Sequence, residues 1–368
     1  MSHPPFNPVI AALPHAVPFV GPEALERARK RAFRARLGAN ENIFGASPLA
    51  VAAMQQACAE NWQYSDPENF DLRTALADFH GVPANCVVVG EGIDGLLGLT
   101  CMMFLSPGQT VVTTDGAYPT FNFHVAAHGG RLVKVPMRDD REDLEALLEA
   151  AQRENAKLLY VSNPNNPMGS FWTANELTGL IANVPERVLL VLDEAYGETA
   201  PLGTQPPIDV SNPNVVRYRT FSKAYGLAGA RIGYAIGHAD VIQTFETVRN
   251  HYGINRVGQI GALAALSDQI YLREVVARIA RARDRISDIA TANGLLPLPS
   301  GANFIAIDCG HDGAFARRIL SALEGRDVFI RKPGVAPQDR CIRISCGRDE
   351  DLAILAQELP RVLTSVRA

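Results

Sequence analysis

From about residue 47 the chain alternates between two patterns of apolar and polar positions. Short uninterrupted apolar runs at 86–90, 110–114, 131–135, 157–161, 187–192, 214–218 and 231–236 have the length of strands buried on both faces. Between them, at 92–104, 118–128, 140–153 and 173–183, apolar residues recur at helical spacing. Repeated strand–helix units with fully apolar strands predict a large α/β domain around a doubly wound, mostly parallel sheet.

The pattern changes after about residue 250. A long amphipathic stretch at 270–291 carries arginine at its polar positions, and a Pro- and Gly-rich turn, LPLPSGAN, follows it. Short strands at 304–307, 328–330 and 341–345 then intersperse with helices at 314–323 and 350–363, which predicts a smaller α+β domain. Prolines at 4, 5, 8, 14, 18 and 22 leave little room for a long element in the first 36 residues. The expected organisation is therefore an arm over 1–36, a large domain over 37–248 and a small domain over 249–368.

Composition narrows the class. With 368 residues, 47% apolar and 20% charged, the chain has ample material for a core, which excludes disordered, fibrous and disulfide-scaffold classes. The net charge of −4 gives no electrostatic case for nucleic acid or an anionic membrane as a partner. The one basic concentration is 27–36, six cations in ten residues, read as a solvated helix face. Six cysteines without CxxC or zinc-finger spacing read as free thiols of a reducing compartment. The N-terminus lacks the basic and apolar regions of a secretory leader, and no apolar run has membrane length, so a cytoplasmic location is expected.

Two features carry candidate chemistry. Gly90, Gly92 and Gly95 form a GxGxxG that follows a strand and opens a helix, with Asp115 at the end of the next strand. That is the spacing of a dinucleotide fingerprint, whose acidic residue lies about 20 positions on. The same turn also offers N–H groups and a helix dipole to any phosphate, so the glycines leave a nicotinamide oxidoreductase and a general phosphate site both open. The second feature is an ordered series: SNPNNPMG at 162–169, LVLDEAY at 190–196 and RTFSKAYGLAGAR at 219–231.

In that series the sequence resembles the fold-type I pyridoxal-phosphate (PLP) aminotransferases, and within them the histidinol-phosphate aminotransferase-like group. The resemblance runs from about Leu37 to the C-terminal helix and implies the aspartate aminotransferase-like fold, with PLP held in the large domain. It makes Lys223 the amine that joins the cofactor aldehyde and later moves the α-proton. Of the other four lysines, Lys30 lies in the basic arm, Lys134 and Lys157 in or beside edge-type strand positions, and Lys332 beside Arg331.

The resemblance implies further roles. Asp193, after the apolar run 187–192, would pair with the pyridine nitrogen, although capping the next segment is an alternative. Tyr196 and Asn166 would bond the phenolic oxygen. Gly92, Ile93 and Asp94 would present a helix start to the phosphate, joined by Thr220, Ser222 and Arg231. Tyr118 would stack on the ring, with a packed core tyrosine as the alternative. Tyr64 matches a tyrosine sent across a homodimer interface, or is an ordinary surface tyrosine. Asn40 lies in a segment that folds over the site, and Arg331 and Arg343 match arginines that fork onto substrate anions. Ile43, Ile93 and Met168 depart from the group's pattern, and Phe19 lies near where relatives carry a substrate-contacting tyrosine.

These features together imply a PLP-dependent aminotransferase that moves an amino group from an anionic amino compound to an oxo acid such as 2-oxoglutarate. The amino donor is histidinol phosphate, an aromatic amino acid or another compound. A PLP-dependent decarboxylase of a phosphorylated amino acid shares every cofactor residue and stays open.

Overall fold

The computed structural model describes residues 4–14 and 20–367; Phe19 lies outside them. The large sheet has seven strands in the order Val87–Gly90, Gly233–Gly237, Val215–Thr220, Leu189–Asp193, Leu158–Ser162, Thr110–Thr114 and Arg131–Val135. The last five are mutually parallel, whereas Gly233–Gly237 runs antiparallel to both of its neighbours. An apolar run has no intrinsic direction, so this reversal was not visible in the pattern.

Alternation along the strands divides the core. Leu158, Tyr160, Leu189, Val191, Val216 and Tyr218 pack with Ile93, Leu97, Phe121 and Phe245 on one face. Leu159, Val161, Leu190 and Leu192 pack with Leu147, Leu177 and Leu180 on the other. Each fully buried aliphatic or aromatic side chain contributes about 1.5–3 kcal/mol, so a two-sided core holds the central strand ends rigidly. The helix expected from residue 140 starts at Leu144: Asp139 and Asp140 take left-handed φ of 51° and 60°, and Asp143 caps the Ala146 N–H.

The second unit surrounds a three-stranded antiparallel sheet, Cys341–Ser345, Phe304–Asp308 and Leu296–Pro297, covered by helices Gln269–Ala292, Gly313–Gly325 and Asp349–Arg367. Two segments depart from the expected division at 36/37 and 248/249. Ala35 and Leu37 belong to the C-terminal core, because Ala35–Arg36 pairs in parallel with Val328–Phe329. Helix Arg256–Ser267 instead packs with Pro48–Cys58 and Phe70–His80 against the large sheet, burying Ala262, Ala265 and Leu266. Packing, not the composition shift near 250, sets these edges.

The basic arm also differs from a solvated face. Helix Pro22–Arg29 ends at Lys30; Arg29 in its last turn and Arg31 beyond it pair with Asp327, Arg34 with Glu358, and Arg36 with Glu23 and Glu26. The segment is thus tied to the C-terminal unit. Among the described residues no helix is long and apolar enough to cross a membrane, and no group of three or more His, Cys, Asp or Glu could hold a metal.

Candidate active site

A cavity of about 570 Å³ opens at the carboxyl ends of the parallel strands, under the segment Ala39–Glu41. Open parallel sheets place ligands at this end. Asn40, Ile93, Asp94, Tyr118, Asn166, Asp193, Tyr196, Thr220, Ser222, Lys223 and Arg231 all line it. The three motifs reach it because each follows a strand: Ser162, Asp193 and Thr220 are the last residues of adjacent strands.

Asp193 is 5% exposed. Its Oδ2 accepts from the Tyr160 hydroxyl at 2.6 Å and its Oδ1 from the Ala195 N–H at 2.9 Å. Burial pushes its carboxyl up to about 6, against the pull of these two donors. A second buried acid, Glu142, accepts from the Ser162 N–H at 3.1 Å, leaves Oε1 without a partner and is pushed up to about 8, chiefly by burial. Beside Asp193, Glu194 is fully buried too. Burial would raise it, but Arg219 and Arg217 hold it lowered, with Arg217 Nη2 at 2.5 Å and Arg219 Nε at 3.1 Å.

Lys223 projects into the cavity. Its Nζ donates to the Asn40 carbonyl at 3.3 Å and lies 5.6 Å from the Tyr196 ring centroid. The Tyr196 hydroxyl accepts from Asn40 Nδ2 at 3.2 Å and from Asn166 Nδ2 at 3.4 Å. Asn166 Oδ1 in turn accepts from Arg343 Nη1 at 2.6 Å, and Arg343 Nη2 donates to the Gly38 carbonyl at 3.2 Å. Arg343 also lies over the Phe304 ring and keeps a buried Nε without a partner. Burial and the nearby Arg331 lower it to about 10, so it stays cationic at neutral pH.

At the opposite wall, the helix Gly92–Phe104 begins with Gly92 at φ 74°. A Cβ there would strike the Arg231 guanidinium. Arg231 itself adopts φ 58°, and its Nη1 donates to Ser222 Oγ at 3.4 Å and to the Ala228 carbonyl at 3.1 Å. Its Nη2 lies 3.8 Å from Asp94, whose Oδ1 accepts from the Tyr118 hydroxyl at 2.9 Å. Burial and Asp94 together raise the Tyr118 hydroxyl. Thr220 Oγ1 accepts from the Ser222 N–H at 3.0 Å, fixing the turn before Lys223.

Four expected residues do not line the cavity. Gly92 lies behind its wall against Arg231, and Arg343 touches it only through Asn166. Arg331 pairs backbone to backbone with Arg343, at 3.1 and 2.7 Å, while its guanidinium bonds the Val20 carbonyl over the Phe329 ring. Tyr64 is 80% exposed and packs against Tyr252. Asp115, the would-be ribose ligand, pairs with Lys134 at 3.5 Å on the sheet's edge strands.

Tyr160, Glu142, Ser345 and Asn303 were not read from the sequence. Tyr160 could have been found, since a tyrosine in a buried strand needs a partner for its hydroxyl. The other three sit outside any motif.

The match to the family model described as aminotransferase class I and II spans residues 35–359. The chain belongs to that family. It is 38% identical over 370 residues to a histidinol-phosphate aminotransferase of Roseiflexus castenholzii, covering 97% of each chain. A crystal structure of histidinol-phosphate aminotransferase from Sinorhizobium meliloti in complex with pyridoxal-5'-phosphate is 52% identical, with a TM-score of 0.97 over 99% of each chain. The Thermus thermophilus aspartate aminotransferase with maleate is 26% identical with a TM-score of 0.81, over 98% of this chain and 100% of that one. This aminotransferase is therefore a PLP-dependent enzyme of the histidinol-phosphate aminotransferase group with the fold-type I architecture, and the oxidoreductase reading of its glycines is set aside.

The donor set of the aminotransferase fits that cofactor. Arg231, Ser222 and the helix start at Gly92 present cationic and N–H donors where a Cβ would intrude, which suits a phosphate. Asp193 is a buried carboxylate, the kind of group that a cationic ring N–H would stabilise.

Proposed function

We propose that this aminotransferase takes its amino group from a primary amine bearing a phosphate monoester, of which histidinol phosphate is the leading candidate, and passes it to 2-oxoglutarate. The observation that carries this reading is the adjacency of Arg343 and Arg331, paired through their backbones, with the Arg343 guanidinium bonded to the neutral Asn166 and Gly38 and that of Arg331 to the Val20 carbonyl. Two neighbouring guanidiniums, both lowered by burial, call for a dianion or for two anions taken in turn. The relatives named above, which carry the histidinol-phosphate name, support the same donor.

In this reading Arg231, Ser222, Thr220 and the N–H groups of Gly92, Ile93 and Asp94 hold the cofactor phosphate. Asp193 would keep the ring nitrogen protonated, and Tyr118 would help to hold the ring. When bound, PLP supplies an aldehyde for the amino group and a ring that takes up the electron pair released at the α-carbon. Lys223 would anchor the cofactor and then serve as general base, accepting the substrate α-proton on Nζ and giving it back. Tyr196 and Asn166 orient the phenolic oxygen, while Arg343 and Arg331 orient the substrate through its anionic groups. Asn40 closes the cavity above Lys223.

Tyr64 faces outward with Trp62 (82% exposed) and Tyr252 (55% exposed) beside it in the chain or the fold. This exposed aromatic patch supports a homodimer in which Tyr64 reaches the other subunit's phosphate. Six unpaired cysteines support a reducing cytoplasm. Amino-donor screening with 2-oxoglutarate tests the substrate assignment. Histidinol phosphate should exceed the aromatic amino acids in kcat/KM by at least tenfold, and the reverse order refutes it. Release of CO₂ in place of an oxo product would favour decarboxylation.

A further inference from the structure

Asn303 directly precedes the strand Phe304–Asp308 and is 1% exposed. Its Nδ2 donates to the Asn40 carbonyl at 3.0 Å and to the Glu41 carbonyl at 3.4 Å, while its Oδ1 is buried without a partner. An orphaned buried acceptor is costly, and a smaller side chain would avoid it. The two donor contacts are what this residue contributes.

Both contacts converge on the turn at Asn40, a non-glycine residue at φ 56°. Asparagine is one of the few L residues that adopt this left-handed conformation, and the polar contacts around it fix the direction in which its carbonyl points. Ser345 Oγ accepts the Asn40 N–H at 3.0 Å and donates to Asn40 Oδ1 at 2.8 Å, and Asn40 Nδ2 reaches Tyr196. The remaining group, the Asn40 carbonyl, has two lone pairs. One receives Asn303 and the other faces Lys223 Nζ.

We infer that Asn303 is a positioning residue for Lys223: it aims the Asn40 carbonyl so that this dipole receives the ε-ammonium whenever the lysine carries a proton. A carbonyl favours the charged amine by hydrogen bonding and is too weak a base to take its proton. The Lys223 amine, once loaded with the α-proton, is thereby held in place until it gives that proton back. Asn303 acts across the two units. Its own carbonyl accepts the Cys346 N–H at 2.8 Å in the C-terminal unit, whereas Lys223 follows the large-sheet strand Val215–Thr220. The inference rests on Lys223 being the reactive amine of the proposed mechanism.

The test reads Lys223 directly in cofactor-free protein. Limiting acetic anhydride at pH 7.5, followed by mass spectrometry, gives the acetylation of Lys223 relative to exposed Lys30. Asn303→Ala should raise that ratio about fivefold, because the ammonium loses its aimed acceptor. Ser345→Ala, which loosens the same turn from its other side, should raise it at least twofold and carries the test alone if Asn303→Ala fails to fold. In the loaded enzyme, Asn303→Ala or, failing it, Ser345→Ala should lower kcat, about tenfold for the former, with KM for the amino donor within threefold. Ratios that rise less than twofold in the folded variants, or a loss carried by KM, overturn the inference. The labelling result does not depend on turnover, so it separates this failure from failure of the proposed mechanism.

Discussion

Replacing Asp193 by asparagine isolates the charge of the buried carboxylate from its hydrogen bonds. Asparagine can accept the Ala195 N–H and donate to the Tyr160 oxygen, since a tyrosine hydroxyl serves in either role. In the cofactor-free protein the carboxyl titrates at about 6, against 3.8 when unfolded. A folded value above the unfolded one means that stability is greatest below pH 3.8 and is lost as pH rises through 6. The full span is roughly 3 kcal/mol, of which about 2 kcal/mol falls between pH 4.5 and 7.

Urea denaturation of cofactor-free wild type and Asp193→Asn, at matched protein concentration, measures this span. The stability difference should move in favour of Asp193→Asn by about 2 kcal/mol over that pH range. Glu142, raised from 4.5 to about 8, adds its own loss of stability over the same range, but both proteins carry it, so the difference between them reports on Asp193. Loading wild type with PLP should abolish the trend, and Asp193→Asn should bind the cofactor at least about 100-fold more weakly. A difference flat to within about 0.5 kcal/mol from pH 4.5 to 7 would refute the placement of an uncompensated carboxylate at the end of this strand.

Two further substitutions probe the walls of the cavity. Gly92→Ala combines a left-handed φ with a Cβ aimed at Arg231; about 1–2 kcal/mol of strain should weaken PLP binding roughly tenfold in equilibrium titration. An unchanged affinity would separate this turn from the phosphate. Arg343→Lys removes the fork that bonds Asn166 and Gly38. Steady-state kinetics should show kcat/KM falling about 100-fold while PLP affinity holds, and a loss of cofactor with intact kcat/KM would contradict the substrate role.

The strands and helices of the large domain were legible because buried parallel strands are written as continuous apolar runs: the expected run at 110–114 matches a fully buried strand residue for residue, whereas 131–135, also matched, is an edge strand with Arg131 and Lys134 exposed and not a strand buried on both faces. Strand direction was not. Gly233–Gly237 reads like its neighbours yet runs the other way, and helix Arg256–Ser267 joins the large unit by packing that no local pattern encodes. The cofactor wall was legible for a different reason. Asp193 ends a strand, and Lys223 and Asn166 follow one within a short motif, so spacing along the chain carries over to spacing in the cavity. Asn303 and Ser345 reach Asn40 from more than 260 residues away, and Glu142 meets Ser162 past the intervening helix Leu144–Arg153. Long-range polar contacts of this kind leave no signature in a single sequence.

Lys223→Ala tests the central claim most directly. The purified variant should fold, should lack the borohydride-sensitive visible band of the wild type, and should transaminate histidinol phosphate with 2-oxoglutarate at least about 10³-fold more slowly. A Lys223→Ala protein that keeps the band and turns over at a near-normal rate would contradict the account.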